Sequence, residues 1–371
     1  MEQLGPAFLG HVVERQVGLR LLDGLRYLNS IGRRRAEPRR AHYDRPRLVR
    51  IRRCILTHRF QSVAVVGAGA VGSFFGAMLA RAGERVTLIG RAVHVQAIER
   101  DGLQLEMGGR IEQVRIGAAT GLAAVRGADL VLFCVKSTDT DAVARELAPL
   151  LDDGALVLSL QNGVENAATI ARHVRQPVLP TVVYVATAMP RPGVVAHFGR
   201  GDLVIGARDS KAAADPALAR AMQDVAAFFD QAGVPVVVAG DVMAQLWSKL
   251  MVNCAYNAIS ALAQAPYGRL ASVPEIRALQ EAAVREVVAV AAAEGVALPL
   301  DASLQAMERI AVAMPAQFSS TAQDVARRKP SEIDHLNGFV ARRGRELGVP
   351  VPVNQALHAL VKLVEAGHAA G

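Results

Sequence analysis

The stretch VAVVGAGAVGSFFG, residues 63–76, constrains the fold of this chain more than any other. A short apolar run leads into Gly67, Gly69 and Gly72, spaced G-x-G-x-x-G, and an apolar-periodic helix follows. That order, strand then glycine turn then helix, is the context a dinucleotide-binding turn requires. Gly67 permits the tight turn, Gly69 lets a pyrophosphate approach the backbone, and Gly72 allows the helix to pack on the strand. The phosphates would sit on unpaired N–H groups at the helix N-terminus, within the frame Gly67, Ala68, Gly69, Ala70, Val71 and Gly72. The plainer alternative is a glycine-rich turn with no ligand.

The surrounding texture agrees with the first reading. RVTLI, DLVLFCVK, ALVLSLQNG, PVLPTVVYVATAM and DLVIG read as strands, with helical stretches near 138–151 and 163–174 between some of them. Strands alternating with helices predict a mostly parallel α/β sheet. Turns at PRPG (190–193) and GRGD (199–202) bracket VVAHF and predict an antiparallel hairpin closing this domain. Beyond VPVVVAGD the strand signals stop. Segments 242–264, 274–295, 303–313, 331–347 and 353–367 carry helical periodicity instead. The predicted fold class is α/β: an N-terminal Rossmann-type dinucleotide-binding domain, residues 60–240, with a C-terminal all-helical domain, residues 241–371.

Charge has to be divided before it is interpreted. The net charge is +8, yet residues 1–60 hold 14 Arg, no Lys and 5 Asp or Glu, a local +9, which leaves about −1 for residues 61–371. The body therefore offers no basic surface for nucleic acid. Residues 1–59 form a basic leader, expected to be a disordered tail. An upstream extension from a misplaced start and a targeting peptide are the other readings, the last lacking an apolar core with a cleavage site. Three scattered cysteines give neither a disulfide framework nor metal-ligand spacing, so no metal is expected and the setting is read as reducing and cytoplasmic. The sequence holds no uninterrupted apolar run of membrane-spanning length. Apolar C-terminal helices make a homodimer an expectation.

Cofactor choice is read at the end of the second strand. NAD enzymes place a carboxylate there for the ribose 2′-OH, whereas this chain has LIGRAVH, with Arg91 at the tip and no acid between Thr87 and Gln96. A cation suits a 2′-phosphate, which predicts NADP(H). A solvated surface arginine is the alternative. Lys136 and Asn162 end two further strands, the place where ligands of open α/β sheets lie. A helix-start lysine and an ordinary N-G turn are their bland readings.

WSKLMVNCAYN, residues 247–257, is the second informative stretch. Lys249, Asn253 and Asn257 are spaced i, i+4, i+8, one narrow stripe on an otherwise apolar helix. Among 42 basic residues only five are lysine. A desolvated lysine can release a proton at physiological pH and arginine cannot. An ammonium facing a nicotinamide could polarise a ketone and protonate the alkoxide, with two amides holding the substrate. The bland reading is a stripe that caps a loop or faces solvent.

Taken together, GAGAVG, CVKS (134–137), LQNG (160–163), KLMVNCAYN (249–257) and SSTAQDVARRKPSEIDHLNGF (319–339) resemble the ketopantoate reductase family (2-dehydropantoate 2-reductases). The resemblance covers about residues 61–365. It implies NADPH-dependent reduction of ketopantoate to (R)-pantoate in pantothenate biosynthesis, with Lys249 as general acid. It also implies substrate contacts from Asn162, Asn253, Asn257 and Ser320, and cofactor contacts from Arg91, Lys136, Asn162 and Glu332. The roles of Ser320 and Glu332 rest on the resemblance alone. One position departs: where the family often carries a further substrate asparagine before glycine, this chain has Tyr267 before Gly268. Reduction of another 2-keto acid therefore stays open, and more remotely a non-catalytic NADP(H)-binding regulator.

Overall fold

The structure, a computed structural model, describes residues 59–369. Of the leader, residues 1–59, all but Arg59 lies outside the described residues. The first strands are β1 (Val63–Val66), β2 (Val86–Ile89), β3 (Leu103–Met107), β4 (Arg110–Val114) and β5 (Gly117–Ala119). They are followed by β6 (Leu130–Phe133), β7 (Leu156–Ser159), β8 (Val178–Arg191), β9 (Val194–Ile205) and β10 (Val236–Val238). They form one sheet in the order β4-β3-β9-β8-β7-β6-β1-β2-β5, with β10 alongside β9. From β5 to β8 every neighbouring pair is parallel. Within that run the chain departs from the centre in both directions, which leaves a crevice beyond the carboxyl ends of β1 and β6.

The continuous apolar runs of β1, β6 and β7 are buried along their whole length, as strands covered on both faces must be. Alternate residues serve the two faces. Val63 and Val65 join Phe74, Phe75 and Leu79 of α1 (Ala70–Ala82) in one core. Ala64 and Val66 join the opposite core, to which α2 (Ala92–Asp101) does not contribute; there α3 (Thr140–Leu147) supplies Ala144 and Leu147, and α4 (Asn166–Ala171) supplies Ala167 and Ile170. After a short α5 (Ser210–Ala213), α6 (Pro216–Gln231) adds Val225, Phe228 and Phe229 to the α1 side.

Three features differ from expectation. GRGD is not a turn: it lies inside β9, whose pairing with β8 shifts register there, so VVAHF and DLVI form one bulged strand. Two flanking glycines absorb a bulge as readily as a reversal, and pairing of Leu203–Ile205 with β10 carries the strand onward. A hairpin of β3 and β4 closed by Gly108–Gly109 is inserted ahead of β5. Its outer strand is exposed and charged, which hides the apolar signal. Finally, α6 follows the hairpin, started by Asp215, whose side chain accepts from the Ala217 N–H at 2.8 Å, and by Pro216 in its first turn.

The remaining residues are helical: α7 (Val242–Ala263), α8 (Tyr267–Ala271), α9 (Pro274–Ala293), α10 (Leu300–Ala313), α11 (Ser320–Ala326), α12 (Asn337–Leu347) and α13 (Pro352–Ala369). α7 is the axis of this part. Trp247, Leu250, Met251, Cys254 and Tyr256 bury against α9 and its neighbours in a core distinct from those of the sheet. The helix expected from residue 331 starts only at Asn337, because residues 331–336 form an irregular turn with a 3-10 segment at Ile333–His335. Among the described residues no helix is long and apolar enough to cross a membrane. No His, Cys, Asp and Glu cluster among them could hold a metal ion.

Candidate active site

The glycine turn is built for close approach. Gly67 has φ +112°, and a Cβ there would lie 2.6 Å from the Cys134 carbonyl carbon of the neighbouring strand end. A Cβ on Gly72 would collide with the Gly67 carbonyl oxygen. On Gly69 it would meet nothing within 4 Å. Two glycines thus press helix and strands together, and the third faces open space. Gly69 is the N-cap of α1 and has no side-chain cap. The Ser73 N–H bonds the Gly69 carbonyl, so Ala70, Val71 and Gly72 precede the first helical bond. The Ala68 N–H is already committed to the Ile89 carbonyl at 3.0 Å. The arrangement fits a pyrophosphate.

Arg91 is exposed at the N-cap of α2, two residues after the end of β2. His94, half-buried on that helix, has its pKa lowered by burial and then by the charges of Arg91 and Lys329. The tip of β2 therefore carries positive charge.

The loops after β6 and β7 are sewn together beneath the cleft. The Asn166 side-chain amide donates to the Asn162 carbonyl at 2.6 Å and to Ser137 Oγ at 3.2 Å. Gln161 Nε2 donates to Thr140 Oγ1 at 2.7 Å and to the Val135 carbonyl at 3.0 Å. All four network side chains other than Asn162 are buried. A satisfied buried network fixes its members, and here it presents Asn162 toward α7.

Lys249 meets Asn162 there. Its Nζ donates to Asn162 Oδ1 at 3.1 Å and to the Val183 carbonyl of β8 at 2.6 Å. Desolvation brings its pKa down to about 8, opposed by the nearby charge of Glu332 and assisted by that of Arg200. Glu332 closes the triangle: Oε2 accepts from Asn162 Nδ2 at 3.2 Å, and Oε1 accepts from the Ser137 N–H at 2.8 Å. Lys249, Asn162 and Glu332, taken from three distant parts of the chain, are thereby one constellation. A poised ammonium held by a carbonyl and an amide, with a carboxylate bound to the same amide, can polarise a carbonyl oxygen and give it a proton.

The other stripe residues flank this centre. Asn253 is partly buried and Asn257 is buried, and among the described residues neither side-chain amide has a hydrogen-bond partner. The Asn257 backbone carbonyl accepts from Ser319 Oγ at 3.1 Å, and Ser319 caps α11 by accepting from the Ala322 N–H at 3.0 Å. Ser319 thus pins the loop to α7 and leaves the next residue, Ser320, exposed at the start of α11. Lys136 is engaged away from the triangle, with Asp324 at 2.5 Å and the Pro330 carbonyl at 3.4 Å. Tyr267 is buried with its ring 4.7 Å from that of Tyr256, and its phenol is pushed up to about 12 by burial, with Tyr256 adding to the shift.

Sequence reasoning missed Ser137, Asp324, Tyr184 and Arg200. The Lys249 ammonium lies 5.8 Å from the Tyr184 ring centroid, and the Arg200 guanidinium covers the same ring at 4.0 Å. The one available signal for Arg200 was its place between two glycines in FGRGD.

Comparison with known proteins covers the same residues. Residues 63–210 match the family described as Ketopantoate reductase PanE/ApbA, and residues 241–365 match Ketopantoate reductase PanE/ApbA C terminal. A 2-dehydropantoate 2-reductase of Halobacterium salinarum is 36% identical over 310 residues, 82% of this chain and 98% of that protein. One from Vibrio cholerae is 32% identical over 306 residues, 82% of this chain and 98% of its own length. Among solved structures, a PanE/ApbA family ketopantoate reductase from Ralstonia eutropha is 54% identical with a TM-score of 0.77, covering 83% of this chain and 99% of that one. A D-mandelate dehydrogenase with NADH and anilino(oxo)acetate is 25% identical with a TM-score of 0.77 and the same coverage.

Proposed function

This chain belongs to the ketopantoate reductase family, and on that premise we propose that it reduces ketopantoate with NADPH, Lys249 giving the proton. Family membership makes it a dinucleotide-dependent oxidoreductase acting on a CH–OH group and a small keto-acid substrate, which sets the regulator reading aside. The observation that carries the proposal is the Lys249–Asn162–Glu332 constellation at the carboxyl edge of the sheet.

When bound, the dinucleotide supplies the hydride. Gly69, Ala70, Val71 and Gly72 would hold its pyrophosphate, and Arg91 a 2′-phosphate. Lys249, at a pKa of about 8, is mostly protonated at neutral pH yet acidic enough to release its proton to a developing alkoxide. Asn162 and the Val183 carbonyl aim the ammonium, while Glu332 stabilises its charged form. Asn253 and Asn257 offer unpaired amides to the substrate, and Ser320 offers a hydroxyl and a helix-start N–H to its carboxylate. The product in this reading is (R)-pantoate, which leads to pantothenate.

A second reading shares the chemistry and changes the acid. Tyr267 is buried on Tyr256 where the family often carries an amide, and one structural relative is a mandelate dehydrogenase. A larger or aromatic 2-keto acid is the alternative substrate. Steady-state assays of the full chain with NADPH and NADH against ketopantoate and a panel of 2-keto acids decide between them. A higher kcat/KM for another acid would overturn the ketopantoate assignment, and preference for NADH would overturn the role of Arg91. A cytoplasmic setting and a homodimer belong to the same proposal. The exposed Leu360 and Leu363 of α13 support the dimer, which sedimentation velocity would test.

A further inference from the structure

The bulge in β9 holds a residue in a conformation it would not choose. Arg200 has φ +55°, one of three non-glycine residues with positive φ among those described. Such backbone persists only where the surroundings impose it. Here they do so from several directions. His197 Nε2 lies 2.5 Å from the Arg200 carbonyl, and its ring stacks on Phe74 of α1 with centroids 4.5 Å apart. Arg200 Nε and Nη2 donate to Asp202 Oδ1 and Oδ2 at 3.0 and 2.6 Å. The guanidinium plane then lies over Tyr184, whose backbone neighbour Val183 accepts from Lys249. An arginine fixed so firmly beside a half-buried lysine is unfavourable for charge alone, since the two cations share one aromatic ring.

We infer that Arg200 is a positioning residue for the reduction, held against Tyr184 so that its charge helps Lys249 release its proton. The inference rests on Lys249 as the proton donor. The groups facing Lys249 divide by sign. From the hairpin come Arg200 and its partner Asp202, with the neutral phenol of Tyr184 between. From the turn before α12 comes Glu332. Burial contributes most to lowering the lysine, Glu332 opposes it, and Arg200 adds to it. Asp202 moderates the arginine, and the Arg200 contribution is the smallest of the three.

Lysine scarcity makes a direct test practicable. The full chain holds five lysines, so ε-¹³C-lysine labelling gives few signals, and Lys249→Arg assigns the one of interest. Arg200→Gln is expected to raise the Lys249 midpoint and to move the basic limb of the kcat–pH profile upward with it. Asp202→Asn is expected to move both downward, and Arg200→Lys to leave both near wild type. The opposite sign of Asp202→Asn keeps the test open should Arg200→Gln fail to fold. Midpoints unmoved in the variants that fold would overturn the inference. So would a kcat lowered equally at every pH, the mark of a merely structural residue. If Lys249→Ala kept normal kcat, the proton-donor reading would fail, while the lysine titration would still report whether Arg200 acts on Lys249.

Discussion

Replacing Lys249 with methionine should uncouple stability from activity in a pH-dependent way. In the folded protein the lysine pKa is about 8, against 10.5 for an ordinary lysine. Between those values the unfolded chain carries a proton that the folded chain lacks. Stability of the wild type must therefore rise with pH across that window, and below pH 8 the cost of burying the charge is present in full. A difference of 2.5, at about 1.4 kcal/mol per pH unit, sets an upper limit of about 3.5 kcal/mol. Lys249 keeps some solvent contact, which reduces the expectation to about 2 kcal/mol. The lost bonds to Val183 and Asn162 cost the variant stability at every pH and cancel when two pH values are compared. Urea unfolding of both proteins at pH 7 and pH 10.5 measures the effect. Wild type should gain about 2 kcal/mol on the Lys249→Met variant between the two. A difference that stays constant, or falls with pH, would refute desolvation as the force on this lysine.

Other perturbations test the cleft piece by piece. Gly72→Ala forces a methyl group onto the Gly67 carbonyl, so dinucleotide affinity should drop at least ~10-fold and stability by about 1–3 kcal/mol, read by fluorescence titration and thermal melting. Arg91→Ala should weaken NADPH binding by about 1–2 kcal/mol and leave NADH binding nearly unchanged, a difference visible in calorimetry. Glu332→Gln removes the charge that favours the Lys249 ammonium, so the basic limb of the kcat–pH profile should move to lower pH. An unmoved limb there would detach Glu332 from the lysine.

The glycine turn and the lysine helix were legible because each is local. Buried parallel strands are apolar throughout, so VAVV, LVLF and LVLS announced themselves, and the Lys249–Asn253–Asn257 stripe follows from helical spacing over nine residues. The constellation was not legible in spacing. Glu332 reaches Ser137 and Asn162 across 195 and 170 residues, and no periodicity encodes such a contact. Family resemblance proposed Glu332 where pattern could not. The β3–β4 hairpin escaped because its outer strand is solvated and charged, which removes the apolar alternation. Arg200 escaped for a different reason: an arginine between two glycines reads as a turn, and only the register of β8 on β9 shows it bent over Tyr184. The turn carrying Glu332 resembled a helix because its side chains keep helical spacing. Tertiary bonds hold it open instead: Ser331 N–H to Glu365 at 2.8 Å, and His358 and Lys362 to Asp334 at 2.6 and 2.9 Å.

As proposed, Lys249 supplies the proton and little of the cofactor affinity. Single-turnover oxidation of bound NADPH by the Lys249→Ala variant, with saturating keto acid, tests it most directly. The rate should fall about 10²–10⁴-fold, with the NADPH Kd within a factor of about two of wild type. A rate close to wild type would contradict it.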